Sequence, residues 1–399
     1  MRFLYKVTVP DDVKFILNTL NKSGYGAHIV GGCVRDMLIG KAPTDYDITT
    51  SAMPDEVKAV FSDYRMLDTG LKHGTVTLLY QGAPYEITTY RTEGAYTDNR
   101  HPDSVSFTRN LELDLSRRDF TVNAICADAE GRLTDMFSGV ADIESRTIRA
   151  VGNAAERFSE DALRILRAIR FSATLGFELD CDTSAAVHSH RFLLSGISGE
   201  RIYSEIMKLL GGAGAYRVLS EYADVIVGVL SELRELKLPE RERFEAAGGR
   251  ERLVSLFALR GGEAASDFDK SMAVLHTDSK IRELGRTALS NLYADTTTDS
   301  ALLRLLFKLG EEGARFTASV KELALGECCC DALEAAICSG VPYKFSAMNA
   351  SGGDFAASGF VGKEIGAAME RTLFAIIDGK LENENEVIKE YIKRLKRNL

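Results

Sequence analysis

GGCVRD (31–36) followed by TDYDI (44–48) is the stretch that decides the fold of the first part of this chain. In TDYDI the flanking Tyr46 and Ile48 are aromatic or apolar, an alternation that suits a strand with one buried face. On a strand, positions i and i+2 point to the same side. Asp45 and Asp47 are therefore expected to face one point in space. Two carboxylates held together repel unless a cation lies between them, and oxygen-only ligands favour magnesium.

The glycines supply a second half. YGAHIVGG (25–32) reads as a short strand running into a glycine turn, and VRDMLIG (34–40) as the start of a helix. Backbone amides approached closely through glycine bind phosphate well, and Arg35 adds a fixed cation with paired donors. Triphosphate beside paired metal-binding carboxylates points to nucleotidyl transfer, with metal activating a hydroxyl and stabilising the leaving diphosphate. A lone D-x-D is usually a solvated turn, and a lone Gly-Gly only a turn. Both in order, joined by strand and helix signals, favour the functional reading.

The 399 residues carry a net charge of −9, with 45% hydrophobic and 27% charged residues. That is ordinary globular composition with room for more than one domain. The charge argues against indiscriminate nucleic-acid binding but allows a local basic groove. No apolar run reaches the roughly 18 residues needed to span a membrane, and MRFLYKVTVPDD (1–12) is unlike a signal peptide. Seven irregularly spaced cysteines fit a reducing cytoplasm. Cys328, Cys329, Cys330 and Cys338 are expected to be small buried residues, because three adjacent side chains diverge on a helix.

HGTVTLLY (73–80) and PYEITTY (84–90) form a candidate hairpin around Gln81-Gly82-Ala83. Glu86, on its second arm, is a candidate third carboxylate; the alternative is an exposed strand residue. Residues 91–107 read as a polar loop, of a length that is usually functional or mobile. Between residues 100 and 170 there are eleven arginines, twelve acidic residues and no lysine. Choosing Arg over Lys favours directional contacts, although ion pairs on helix surfaces account for part of the set. From about residue 155 the pattern is helical, with Ala162, Ile165, Leu166, Ile169 and Ala173 forming an apolar stripe. The last segment, 380–399, reads as a charged helix. Its Lys389, Lys393, Arg394, Lys396 and Arg397 either complement the helix dipole or contact an RNA backbone.

RFSEDALRILRAIRFSATLGF (157–177) carries the second constellation. On one helix Asp161 and Arg164 would share a face off the apolar stripe, and Arg167 and Arg170 continue the row. Such a pair is ordinarily a surface ion pair. Side by side, however, a carboxylate and a guanidinium present an acceptor and a donor edge. Cytosine and adenine complement that edge; guanine and uracil oppose it, at a cost of roughly several kcal/mol.

GGCVRD, TDYDI, SRRDFTVNAI (116–125), EDALRILRAIR (160–170) and ERIYSEIMKLL (200–210) resemble, in this order, the motifs of bacterial tRNA nucleotidyltransferases. These are the CCA-adding enzymes and their poly(A) polymerase relatives. MNASGGDF followed by GKLENEN is similar to the tail of Bacillus-type members. The resemblance implies an α/β plus all-α protein. A polymerase-beta-like nucleotidyltransferase head, a mixed sheet with helices, would occupy residues 1–150. A helical neck (151–215) with the nucleotide-reading helix, a helical body (216–340) and a tRNA-binding tail (341–399) would follow. By position, Asp45 and Asp47 match the metal-binding carboxylates, and Glu86 a third acidic position. Gly32 and Arg35 match nucleotide-binding positions, and Arg118, with Arg117 beside it, an arginine that contacts phosphate. Asp161 and Arg164 match the pair that reads C and A; Arg167 and Arg170 match further nucleotide-binding positions.

The implied activity is addition of CCA to the 3′ end of tRNA from CTP and ATP, with Mg2+ as cofactor. Other members add only CC or only A, or make poly(A). The length of the 91–107 segment favours complete CCA addition. With six histidines and no His-Asp dipeptide, an HD phosphohydrolase domain is not expected. A non-catalytic RNA-binding protein on the same scaffold is the rival of another class.

Overall fold

Val13, Ile16, Leu17 and Leu20 repeat at helical spacing and are all buried on one face of α1 (Asp11–Lys22), whose acidic first turn and terminal Lys22 complement its dipole. The computed structural model describes residues 6–94 and 105–397, with the backbone alone at Thr69, Glu93 and Ser231. They divide into two compact units, residues 1–229 and 230–399.

The first unit is built on a mixed sheet. Its strands are β1 (Ala27–Val30), β2 (Ile48–Thr50), β3 (Met66–Gly70), β4 (Thr75–Tyr80) and β5 (Ala83–Thr89). A separate ribbon, β6 (Arg91–Glu93) with β7 (Val105–Phe107), comes next, and β8 (Ile125–Ala127) and β9 (Leu133–Asp135) complete the sheet. The order is β3-β4-β5-β2-β1-β8-β9; β2 and β5 run parallel and the other neighbours antiparallel. The expected hairpin is β4–β5. Gln81 (φ 50°) and Gly82 (φ 82°) make its two-residue turn, and Ala83 already pairs with Tyr80.

Two local expectations are corrected. TDYDI is not itself a strand: pairing in β2 begins at Ile48, and the aspartates lie in the segment leading into it. That segment already follows β1, because Val30 N–H donates to Asp47 O at 3.0 Å. The 91–107 stretch is not loop throughout. Its ends pair as β6 and β7, Arg91 opposite Phe107; its centre, 95–104, on which the argument from loop length rests, lies outside the described residues.

Helices α2 (Gly32–Leu38), α3 (Pro54–Val60), α4 (Leu111–Ser116) and α5 (Gly139–Glu144) accompany the sheet. The chain then becomes helical, as the spacing indicates, through α6 (Ala154–Glu160), α7 (Leu163–Leu175), α8 (Cys181–His190), α9 (Gly199–Leu210), α10 (Ala215–Glu221) and α11 (Ala223–Val229). The stripe Ala162, Ile165, Leu166, Ile169 and Ala173 is buried to 1% exposure or less. Residues 157–177 are two helices rather than one. Asp161, at φ −131° and ψ 102°, breaks them apart, and its carboxylate accepts from Leu163 N–H at 3.1 Å at the start of α7.

In the second unit every regular element among the described residues is helical. Leu303, Phe355, Leu373, Ile388 and Ile392 belong to its core. The 27-residue helix Asp299–Leu325 is interrupted at Gly310, whose φ 68° and ψ 174° only glycine tolerates. Of the terminal cations, Lys389, Arg394 and Lys396 pair with Glu386, Glu390 and Glu364, while Lys393 and Arg397 are exposed. The cysteine expectation holds for Cys329 alone. Cys328 and Cys338 are exposed and Cys330 half-buried, because their turns lie at the surface.

Candidate active site

Ile48 pairs with Ile87 in the parallel β2–β5 register, and both are buried in the sheet. The residues before them, Asp47 and Glu86, therefore emerge side by side on the other face. Asp45, two residues upstream, adds its charge. Asp47 keeps access to solvent, yet its pKa is raised, first by loss of hydration to surrounding protein, then by Asp45 and by Glu86. Arg118 opposes that rise. Among the described residues no group of three or more His, Cys, Asp or Glu side chains is gathered closely enough to hold a metal. The charge of Glu86 reaches Asp47.

Gly31 shapes the opposite wall. Its φ of 83° and ψ of −133° require glycine, and a Cβ there would stand 3.3 Å from Arg118 Nη1 and 3.9 Å from Asp47 Oδ2. Gly31 N–H is held by Ile125 O at 3.2 Å. Gly32 opens α2, and a Cβ at Gly32 would lie 3.6 Å from Arg35 Nη2. Glycine thus keeps a narrow space open beside the carboxylates and two guanidinium groups.

Arg118 is aimed at this space with donor capacity to spare. Its Nη2 makes a long 3.4 Å contact with Asp114 Oδ2, and its Nε is buried without a partner. Asp114 has no exposed side-chain surface. Burial pushes its carboxyl pKa up, but Arg117 and Arg118 outweigh burial and lower it. Its Oδ1 accepts from Arg117 Nε and Nη2, and its Oδ2 accepts from Thr49 Oγ1 at 3.2 Å. Asp114 was missed in the sequence, although it lies three and four residues before Arg117 and Arg118 on one helical face.

The other arginines are tethered. Arg35 donates to Asp36 Oδ1 and, at 2.6 Å, to Asn123 Oδ1. Arg167 donates from Nε and Nη2 to Asp119 Oδ2 at 2.8 and 2.6 Å, and Arg170 reaches Glu205 at 2.9 Å. All three surround the Phe171 ring, Arg170 most closely at 3.6 Å from its centroid. Arg164, 8% exposed, donates to Glu160 Oε2 at 2.7 Å and to Arg117 O at 2.9 Å. Helix α7 is thereby docked on the Arg117–Asp119 segment that carries Arg118.

Asp161 and Arg164 are both at this junction, but not as the side-by-side pair on one helix that the spacing suggests. The helix break turns Asp161 toward Arg201, whose Nη2 reaches its Oδ2 at 3.1 Å, while Arg164 takes Glu160. Arg201 and Glu160 stand inside quoted motifs, and nothing in their spacing alone reveals these partners.

Asp119 anchors the junction. Burial pushes its pKa up, but Arg167 and Asn123 override burial and hold it at about 2, against an ordinary 3.8. A depressed folded-state pKa adds stability above the unfolded value and loses it as pH falls through the folded one. Asp119→Asn is expected to cost about 2 kcal/mol at neutral pH, by leaving the half-buried Arg167 without its carboxylate, a cost reduced from that of a fully buried pair by solvent at Arg167. The gap from wild type should narrow as pH falls from 3.8 towards about 2. Denaturant melts of both proteins at several pH values check this; a gap that stays constant refutes it.

The family described as "Poly A polymerase head domain" matches residues 27–149, and "Probable RNA and SrmB- binding site of polymerase A" matches residues 176–224. The chain is 51% identical over 209 residues to a CCA-adding enzyme of Geobacillus thermodenitrificans, covering 52% of this chain and 51% of that protein. It is 47% identical over 231 residues to a CCA-adding enzyme of Bacillus cereus, covering 58% and 57%. These matches span about half the length of the curated relatives. The crystal structure of the Bacillus stearothermophilus CCA-adding enzyme in complex with CTP superposes with a TM-score of 0.82 at 33% identity, over 98% of this chain and 99% of that one.

Proposed function

Because the chain belongs to the family of CCA-adding nucleotidyltransferases and poly(A) polymerases, we propose that it adds C, C and A to the 3′ end of tRNA from CTP and ATP, releasing diphosphate. One observation carries the reading. Asp47 bears a raised pKa, first because protein displaces its hydration and then because Asp45 and Glu86 crowd it with negative charge, and the buried Nε of Arg118 beside it has no partner. Crowded carboxylates call for a cation, and an orphaned guanidinium donor calls for an anion. A metal-bound nucleoside triphosphate supplies both.

The oxygen-only donors Asp45 and Asp47 would hold magnesium. Bound there, the ion supplies the charge that lowers the pKa of an attacking hydroxyl and stabilises departing diphosphate. The chain's own groups do the rest. Gly31 and Gly32 leave room for phosphate, and Arg118 and Arg35 orient it. Asp161 and Arg164 meet the base edge, Asp161 accepting from an amino group and Arg164 donating to a ring nitrogen. Arg167 and Arg170 line the same junction. Residues 1–150 would act as head, 151–215 as neck, 216–340 as body and 341–399 as the tail on tRNA. Seven free thiols support a cytoplasmic setting.

The test is a tRNA ending at the base before the CCA sequence, offered CTP alone, ATP alone, then both with Mg2+. CTP alone should add two residues, ATP alone none, and the pair three. A product stopping at two C with both nucleotides, or a single A, or a long A tail would assign a narrower or different member of the family. No extension under any condition would refute catalysis.

A further inference from the structure

Three cations meet on the buried ring of Phe171, on α7. Arg170 is stacked over it, its Cζ 3.6 Å from the centroid, while Arg35, from α2, and Arg167 stand at 5.2 and 5.4 Å. The three are not equally neutralised. Arg35 spends Nε and Nη2 on Asp36 and Nη1 on Asn123. Arg167 gives Nε and Nη2 to Asp119, and that carboxylate raises its pKa. Arg170 gives only Nε, to Glu205 of α9. Among the described residues its Nη1 and Nη2 make no hydrogen bond, and neither atom is sealed from solvent. Its pKa is lowered, first by loss of hydration, which Glu205 opposes and Arg167 reinforces. A guanidinium in that condition gains from an anion that takes its two free donors.

We propose that Phe171 is a positioning residue for the incoming nucleotide, its ring holding Arg170 so that Nη1 and Nη2 form a ready fork for phosphate oxygens. The inference rests on the nucleotidyl-transfer reading of this site and deepens it. The face of an aromatic ring carries negative charge and attracts a cation laid over it. Glu205 fixes one edge of the Arg170 guanidinium, and the ring fixes its plane. The terminal nitrogens are thereby set without being used. A fork held in advance loses less freedom when it takes phosphate. Arg35 ties this point to the glycine turn. Its Nη2 lies 3.6 Å from where a Cβ of Gly32 would stand, and the same guanidinium reaches the Phe171 ring. A leucine in place of Phe171 would fill much of the volume without attracting any of the three cations.

The experiment uses the full chain with phenylalanines bearing one, two or three ring fluorines placed at position 171. Fluorine nearly keeps the shape of the ring and drains negative charge from its face. Binding of CTP with Mg2+ is read by titration calorimetry, and CMP incorporation gives KM and kcat. Kd for CTP should rise with each fluorine, to about tenfold with three. KM should follow Kd while kcat stays within about threefold, as for a contact made alike in ground and transition states. Inorganic diphosphate, a probe with no base, should weaken in parallel. Phe171→Leu should weaken CTP about tenfold in the wild-type background but less than about twofold beside Arg170→Lys, because residues that act through one another are not additive. A Kd indifferent to fluorine, additive losses in the double variant, or weakening of CTP but not of diphosphate would each overturn the proposal. Graded binding by a chain that extends no RNA supports the fork and defeats the catalytic reading instead.

Discussion

Asp47→Ala lowers the rate of nucleotide incorporation by at least roughly 10³-fold, the upper scale for removing one preorganised charge from a transition state, and Asp45→Ala does the same. The fold survives both changes. Neither side chain is buried in the core, and Ile48, which anchors the strand, is untouched. The sign of the stability change is the sharper part. A carboxyl whose pKa is raised on folding is held in its charged form at a cost to the native state. Burial, Asp45 and Glu86 are the causes at Asp47. Without divalent ions, Asp47→Ala should therefore melt at the same temperature as wild type or above it, while being inactive. Thermal melts and a single-turnover assay on the same preparation decide it. Retained activity sinks the metal assignment; a large drop in melting temperature shows that Asp47 is structural. Loss of function with gain in stability marks a site kept strained for chemistry.

What was legible in the sequence follows from the range of the forces involved. The β4–β5 hairpin was readable because its alternation and its Gln81-Gly82 turn are both local. The stripe on α7 was readable because helical period and burial coincide there. The crowding of Asp45, Asp47 and Glu86 needed one further step. Glu86 meets Asp47 only through the parallel register of two strands about forty residues apart in the chain, and no local pattern encodes register between distant strands. Asp161 shows the opposite failure. The three-residue spacing to Arg164 suggests one helix face, but the carboxylate bonds Leu163 N–H instead and ends the preceding helix. Acidic side chains favour that capping role over a helix interior. Arg167 and Arg170 were legible as the continuation of a row from Arg164, and Arg35 as a cation beside the glycine turn. Their convergence on Phe171 was not, because an aromatic inside an apolar run looks like any other core residue.

Asp161 now has two duties, and two substitutions separate them. Its Oδ1 accepts from Leu163 N–H, and its carboxylate takes Arg201. A carboxylate offers about four acceptor sites, so capacity remains for the amino group of an incoming C or A. Asp161→Ala removes cap and acceptor together. It should cost about 1 kcal/mol of stability from the cap. It should also lower the preference for CTP over UTP by roughly 10²-fold, since the opposition between carboxylate and the uracil oxygen disappears with the carboxylate. Asp161→Asn keeps an oxygen for Leu163 N–H and turns its amide nitrogen outward. That nitrogen donates, so it suits the uracil carbonyl and opposes the cytosine amino group. The Asn variant should thus keep most of the stability that the Ala variant loses, yet favour UTP more strongly than the Ala variant does. Competition between CTP and UTP on one RNA, read beside melting curves, distinguishes the cases. If both variants hold the wild-type ratio while only stability moves, Asp161 is a helix cap and the base is read elsewhere.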